Sequence, residues 1–241
     1  MTSRVALVTG GSRGIGAAIA VALKEAGHKV AINYASDDRF AAEFREKTGI
    51  ATHKWDVADF EDCKRGHAGV VAELGPVEIL INNAGAVAEA KFENMTLEQW
   101  HKVMRINLDS VFHLCKLVYP GMIAKNWGRI VNIGSMNGQA GQLNQVNYVA
   151  SKAGMHGFSK ALALEAAKYG ITVNNVAPGY IDTYMMRDAP ERIRQKIIDK
   201  SPIRRMGLPE EVAHAVMYLV DEKAAWATGS TVTMNGGTQM Y

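Results

Sequence analysis

Short apolar runs alternate with helical patterns along the whole chain. The runs "RVALVTG", "HKVAINY", "ATHKWDV", "VEILINNAG", "GRIVNIGS", "ITVNNVAPG" and "GSTVTMNGG" each have strand length and end in turn-forming residues. Between them, "GIGAAIAVALKEAG" is an alanine-rich helical stretch closed by Gly27, and a charged helix is expected from about Asp37 to Thr48. "FEDCKRGHAGVVAELG" suits another helix. "TLEQWHKVMRINLDSVFHLCKLVYPGMIAKN" suits a long one, with Thr96 and Glu98 as capping candidates. A further helix carries Tyr148 and Lys152. Strands alternating with helices imply βαβ units. The expectation is α/β: one doubly wound domain over residues 1–241, with an about seven-stranded parallel sheet and helices on both faces.

Composition narrows the function classes. At 241 residues the chain can bury a sizeable core without disulfides or metal staples. Its 48% hydrophobic and 21% charged content is that of an ordinary globular protein. A net charge of +3 without a basic run argues against nucleic acid as a partner. Cys63 and Cys115 form no CxxC or Cys/His cluster, so no metal site is expected, and they read as buried thiols of a reducing compartment. The start "MTSRVALVTGG" lacks a signal-peptide core, and no apolar run reaches membrane-spanning length. A cytoplasmic protein without membrane partners is expected. The twelve methionines read as core filler, and the histidines as bystanders without ligand spacing.

"VTGGSRGIG" changes the picture. Gly10, Gly14 and Gly16 have G-x-x-x-G-x-G spacing at the first strand–helix junction, a variant of the Rossmann dinucleotide fingerprint. Ser12, Arg13 and Ile15 complete the loop, and the helix start offers free N–H groups and positive dipole to a pyrophosphate. The second strand ends in neutral Tyr34 and Ser36, where an NAD site usually places an acid. Arg13 and Arg39 could meet a 2′-phosphate, whereas Asp37 and Asp38 would oppose one if they faced it. NADPH is favoured, with NADH as the alternative.

"YVASK" places Tyr148 and Lys152 one helical turn apart on one face. Free phenol and ammonium groups titrate near about 10 and 10.4. An adjacent ammonium is expected to lower the phenol towards working pH, making Tyr148 a proton donor for a developing alkoxide.

"TGGSRGIG", "NNAG" at 82–85 and "YVASK" together resemble the short-chain dehydrogenase/reductase family, from Val5 to Gly237. "RINL", "NIGS", "VNNVAPGYIDT" and "RMGLPEEVA" extend the likeness in order and spacing. The resemblance implies a nicotinamide cofactor and a catalytic set of Asn107, Ser135, Tyr148 and Lys152. Asn107 would hold a proton-relaying water, Ser135 would bind the substrate oxygen, and Lys152 would also bind the nicotinamide ribose. Asp56 is implied at the adenine, with Asn83, Ala84 and Gly85 flanking the cofactor. Pro178, Gly179, Ile181 and Thr183 are implied around the carboxamide. Gly134 departs from the pattern, since many relatives have serine there.

"GSMNGQAGQLNQVNY" and "PGYID" resemble a branch of that family, the acetoacetyl-CoA reductases of polyhydroxybutyrate synthesis. The likeness implies Gln142, Gln145, Tyr180 and Glu89 around the acyl group, beside Ser135 and Tyr148; Leu143 and Glu89 differ from the usual residues. Residues 184–202 are expected as a helical lid whose cations Arg187, Arg192, Arg194, Lys196 and Lys200 could meet the phosphates of an acyl-CoA thioester. The expected reaction is NADPH-dependent reduction of acetoacetyl-CoA to (R)-3-hydroxybutyryl-CoA. A carrier-protein 3-oxoacyl reductase and a non-catalytic dinucleotide sensor are the alternatives. The family also implies a homotetramer.

Overall fold

The structure is a computed structural model that describes residues 2–187 and 189–240, the side chains of Met185 and Arg187 excepted. Its first half runs β1 (Val5–Val8), α1 (Gly14–Glu25), β2 (Lys29–Tyr34), α2 (Asp38–Thr48), β3 (Ala51–Lys54), α3 (Phe60–Leu74) and β4 (Ile79–Asn82). Then come α4 (Leu97–Met104), α5 (Ser110–Lys125), β5 (Gly128–Ile133), α6 (Asn137–Ala140), α7 (Val146–Ala166) and β6 (Ile171–Pro178). The chain closes with α8 (Tyr184–Arg187), α9 (Glu191–Lys200), α10 (Pro209–Val220) and β7 (Thr231–Met234).

All seven strands pair in parallel in the order β3-β2-β1-β4-β5-β6-β7. Alternation along β1 shows how both faces are covered. Val5 and Leu7 join a core with residues of α3, α5 and α7, while Ala6 and Val8 join one with residues of α1, α2 and α10. The doubly wound sheet therefore buries its central strands on both sides, which is why they read as unbroken apolar runs. The order reverses at β1, flanked by β2 and β4, so the loop after β1 opens at the switch point where such sheets bind ligands.

Three local features differ from expectation. The long helix over 96–126 is interrupted: a π-helical turn at Arg105–Asp109 separates α4 from α5. Thr96 caps α4, but Gln99, not Glu98, returns the bond to the Thr96 backbone. Helix α10, which packs extensively against α1, was not anticipated as an element. It starts with Pro209 in its first turn, and the Glu211 carboxylate accepts from Leu208 N–H at 2.7 Å. The expected lid contains α8 and α9; Asp188 and the Arg187 side chain within it lie outside the described residues.

Cys63 and Cys115 are free and buried, with thiols pushed up to about 12 by burial. Among the described residues, no helix is long and apolar enough to cross a membrane.

Candidate active site

The loop between β1 and α1 forms one wall of a cleft of about 710 Å³. Gly10 and Gly14 adopt φ of 60° and 56°, a left-handed conformation that costs glycine nothing. Thr9 ties this loop to the end of β4, its hydroxyl accepting from Asn83 N–H and Ala84 N–H, both at 3.0 Å. The Asn33 side chain accepts from Gly10 N–H at 3.4 Å and donates to Trp55 O at 2.9 Å, fixing the other side. Neither Thr9 nor Asn33 was anticipated. The first turn of α1 carries no acid and no side-chain cap, so its N–H groups remain for an anionic ligand.

Gly10, Ser12, Arg13, Gly14, Ile15, Tyr34, Ser36, Asp56, Asn83, Ala84, Gly85 and Thr183 all line this cleft. Gly16 does not. It is buried, and a Cβ there would collide with the Gly10 carbonyl and the Asn83 amide, so its lack of a side chain lets helix approach strand. Arg39 stands outside the lining on α2, over the Phe40 ring at 5.1 Å, with Glu43 at 4.0 Å.

The two acids near the end of β2 are both engaged. Asp37 caps α2 by accepting from Phe40 N–H at 3.2 Å and lies 3.7 Å from the Arg13 guanidinium. Asp38 pairs with Lys54 at 2.8 Å, and this pair, with the Tyr34 hydroxyl, holds its carboxyl below the usual range. The cleft thus presents Arg13 and Ser36 together with Asp37, whose carboxylate Arg13 opposes, and Tyr34, whose hydroxyl is bonded to Asp38. A glycine cradle, free N–H groups and a partly neutralised cationic rim fit a nicotinamide dinucleotide.

The four family-pattern residues come from three elements. Ser135 follows β5 directly, Tyr148 and Lys152 lie on α7, and Asn107 lies in the π-helical turn. The Tyr148 and Ser135 hydroxyls are in hydrogen-bonding contact. Lys152 Nζ donates to Ile133 O at 2.7 Å and stands 5.8 Å from the centre of the Tyr148 ring. Gly85 marks where these groups converge: a Cβ there would lie 3.5 Å from Asn107 Oδ1 and 3.8 Å from Lys152 Nζ.

The structure corrects the expected titration of this pair. Burial pushes the Tyr148 phenol up, and the Ser135 hydrogen bond offsets that only in part. Burial also brings the Lys152 ammonium down to about 8. Nζ donates to Ile133 O and stands 5.8 Å from the ring centre, and desolvation dominates the shift of the phenol.

The lowered ammonium pKa makes stability depend on pH. The Lys152 pKa is lower folded than unfolded, so the unfolded chain binds more protons between pH 8 and 10.5 and stability rises with pH across that window. The ammonium costs the fold about 3 kcal/mol near neutral pH, and its hydrogen bond returns about 1 kcal/mol. Lys152→Met is expected to raise the unfolding free energy by about 2 kcal/mol near pH 7, a gain nearly gone near pH 10, as measured by urea denaturation.

Asn107 is fully buried; its amide accepts from Ala86 N–H at 2.7 Å and donates to Ala86 O at 3.0 Å and Ser151 Oγ at 3.1 Å. That pins the turn after β4 to α7.

Towards the acyl end, Gln145 donates to Glu89 at 2.5 Å, and burial, with the Glu89 charge, pushes the Tyr180 phenol up. These three residues are brought together, whereas Gln142 sits in an exposed loop with Leu143 at 86% exposure. Asn137 and Asn147 are additions. Asn147 is fully buried and donates to Ala88 O at 2.9 Å and Gln99 O at 3.2 Å. Pro178 accepts from Met136 N–H at 3.0 Å, and Gly179 passes so close to β7 that a Cβ would lie 2.9 Å from Asn235 Cα. Ile181 and Tyr180 line a 130 Å³ cavity with Ile197 of α9, which places α9 over this end. Arg192, Lys196 and Lys200 on α9 face solvent, and Arg194 lies 4.0 Å from Glu191.

A family profile described as enoyl-(acyl carrier protein) reductase matches residues 10–239. The chain is 52% identical over 236 residues to an acetoacetyl-CoA reductase of Shinella zoogloeoides, covering 98% of each. It is 54% identical over 236 residues to one of Rhizobium meliloti, again covering 98% of each. A 3-oxoacyl-(acyl-carrier-protein) reductase of Pseudomonas aeruginosa is 41% identical over 244 residues, covering 100% of this chain and 99% of that protein.

Proposed function

The chain belongs to the short-chain dehydrogenase/reductase family, and from that membership we propose that it reduces acetoacetyl-CoA to (R)-3-hydroxybutyryl-CoA with NADPH, in polyhydroxybutyrate synthesis. The observation that carries the chemistry is the contact of the Tyr148 hydroxyl with Ser135, with a buried Lys152 ammonium 5.8 Å from the Tyr148 ring centre. For the substrate, the support is the higher identity to acetoacetyl-CoA reductases than to the carrier-protein enzyme.

When bound, the nicotinamide supplies the hydride that goes to the ketone carbon. Gly10, Ser12, Arg13, Gly14 and Ile15 would hold the phosphates, Asp56 the adenine end, and Asn83 to Gly85 with Thr183 would line the rest of the nucleotide. The Ser135 hydroxyl orients the substrate oxygen. Tyr148 then gives its proton to that oxygen as negative charge develops.

The raised phenol pKa suits this direction, because the resting tyrosine is fully protonated and ready to donate. Its conjugate tyrosinate forms only during reaction, and the nearby ammonium stabilises it then. Lys152 thus favours the reacted state over the ground state, which is the condition for catalysis. With its pKa at about 8, Lys152 holds its proton near neutrality and can return one to Tyr148. Asn107 acts by holding Ala86 and Ser151 in place.

The preference for NADPH rests on Arg13, on Tyr34 and Ser36, and on the engagement of Asp37 and Asp38. α9 is the substrate lid, its cations set for the phosphates of coenzyme A. The reading includes a homotetramer, the assembly common in the family, and the two free thiols support a cytoplasmic setting.

The discriminating assay compares kcat/KM for acetoacetyl-CoA and the acetoacetyl carrier-protein thioester. A preference for the coenzyme A thioester is expected. Much slower turnover of it would transfer the assignment to carrier-protein reduction, and nucleotide binding without turnover of either would favour a sensor.

A further inference from the structure

We propose that Asn137 is a positioning residue that sets the polarity of the acyl-binding amide of Gln145 and couples it to Ser135. Its backbone N–H donates to Ser135 Oγ at 3.1 Å, and its side chain donates to Gln145 Oε1 at 3.1 Å. Gln145 in turn donates through Nε2 to Glu89 at 2.5 Å. The direction of this chain follows from chemistry. An ionised carboxylate only accepts, so Gln145 must turn its NH₂ to Glu89 and its oxygen to Asn137, which must then present its own NH₂. A donor is therefore needed at 137, and the Asn137 NH₂ supplies it.

The bond to Ser135 gives the chain its second effect. Accepting from Asn137 N–H occupies one Ser135 lone pair and leaves its O–H on the side of Tyr148, whose phenol it hydrogen-bonds. One N–H of Gln145 faces Glu89, and the other remains for the thioester carbonyl. Asn144 O accepts from Ala90 N–H at 3.0 Å, so the two loops that carry Gln145 and Glu89 are also joined through backbone. Asn137 is therefore the bridge between the residue gripping the ketone oxygen and those holding the acyl end. The inference rests on the acetoacetyl-CoA reading.

The test uses two variants of the full enzyme. In Asn137→Asp, a carboxylate would face the Gln145 oxygen, and the expected result is a rise of about tenfold in KM for acetoacetyl-CoA, the loss of one hydrogen bond. NADPH affinity should stay within about twofold because the loop lies apart from the glycine cradle. Adding Glu89→Gln rebuilds a satisfied chain with inverted direction: the amide introduced in place of Glu89 donates to a flipped Gln145, which donates to the carboxylate introduced in place of Asn137. The double variant should recover the wild-type melting temperature yet keep the raised KM. KM within about twofold of wild type in Asn137→Asp, or full KM recovery in the double variant, would overturn the proposal. A wild-type enzyme inactive on acetoacetyl-CoA would instead sink the substrate reading.

Discussion

Replacing Tyr148 with phenylalanine is expected to lower kcat by about 10³-fold, the usual worth of a positioned general acid. The substitution deletes one oxygen and keeps the ring against which Lys152 Nζ stands at 5.8 Å. It removes the group that contacts Ser135, so the reacting oxygen loses its proton source and not its hydride. NADPH affinity should change by less than about twofold, since the phosphate and adenine contacts lie on other elements. Stopped-flow NADPH oxidation and fluorescence titration of the nucleotide separate the two quantities. A variant with near-normal kcat would mean that the proton comes from elsewhere.

The second large effect is expected at Arg13. Substitution by glutamate should cut kcat/KM with NADPH by about 10²-fold, because a charge-assisted bond to phosphate is lost and a repulsion added. The rate with NADH should change only a few-fold. Arg13 lines the cleft 3.7 Å from Asp37 and 5.3 Å from the Phe40 ring, which hold the guanidinium at the rim before any ligand arrives. The wild-type ratio of kcat/KM for the two nucleotides is the control. Equal losses with both would assign Arg13 to the shared pyrophosphate rather than to the 2′-phosphate.

The sheet was legible because parallel strands buried on both faces are written as apolar runs, and Ile79–Asn82 or Gly128–Ile133 needs no further signal. The break in the helix after Met104 was not. "RINLD" continues the apolar period smoothly, and the extra residue of a π turn leaves hydropathy unchanged. Helix α10 had its signals in Pro209 and Glu211, but "RMGLPEEVA" served as a fragment of resemblance rather than as a helix start. In the cleft, most expected residues fall where the glycine spacing and strand ends put them. Gly16 is not part of the cleft lining, and its place in the spacing is used for helix–strand packing.

What spacing could not carry was environment. Tyr148 and Lys152 are one turn apart in any helix, but the rise of one pKa and the fall of the other depend on burial and on Ile133 O, 19 residues from Lys152. Likewise Asn137, Gln145 and Glu89 meet only because two loops fold together across 56 residues of chain. Such contacts leave no periodic trace.

The most direct test of the central claim, a phenol acid whose conjugate base is supported by a buried ammonium, is the pH profile of kcat/KM for acetoacetyl-CoA reduction, which reports groups before the substrate binds. Lys152 loses its proton at about pH 8. The rate should hold at lower pH and then fall as pH rises through that value, approaching tenfold per unit as the ammonium disappears. A rate that stays level to about pH 10, about two units above that value, would contradict the account.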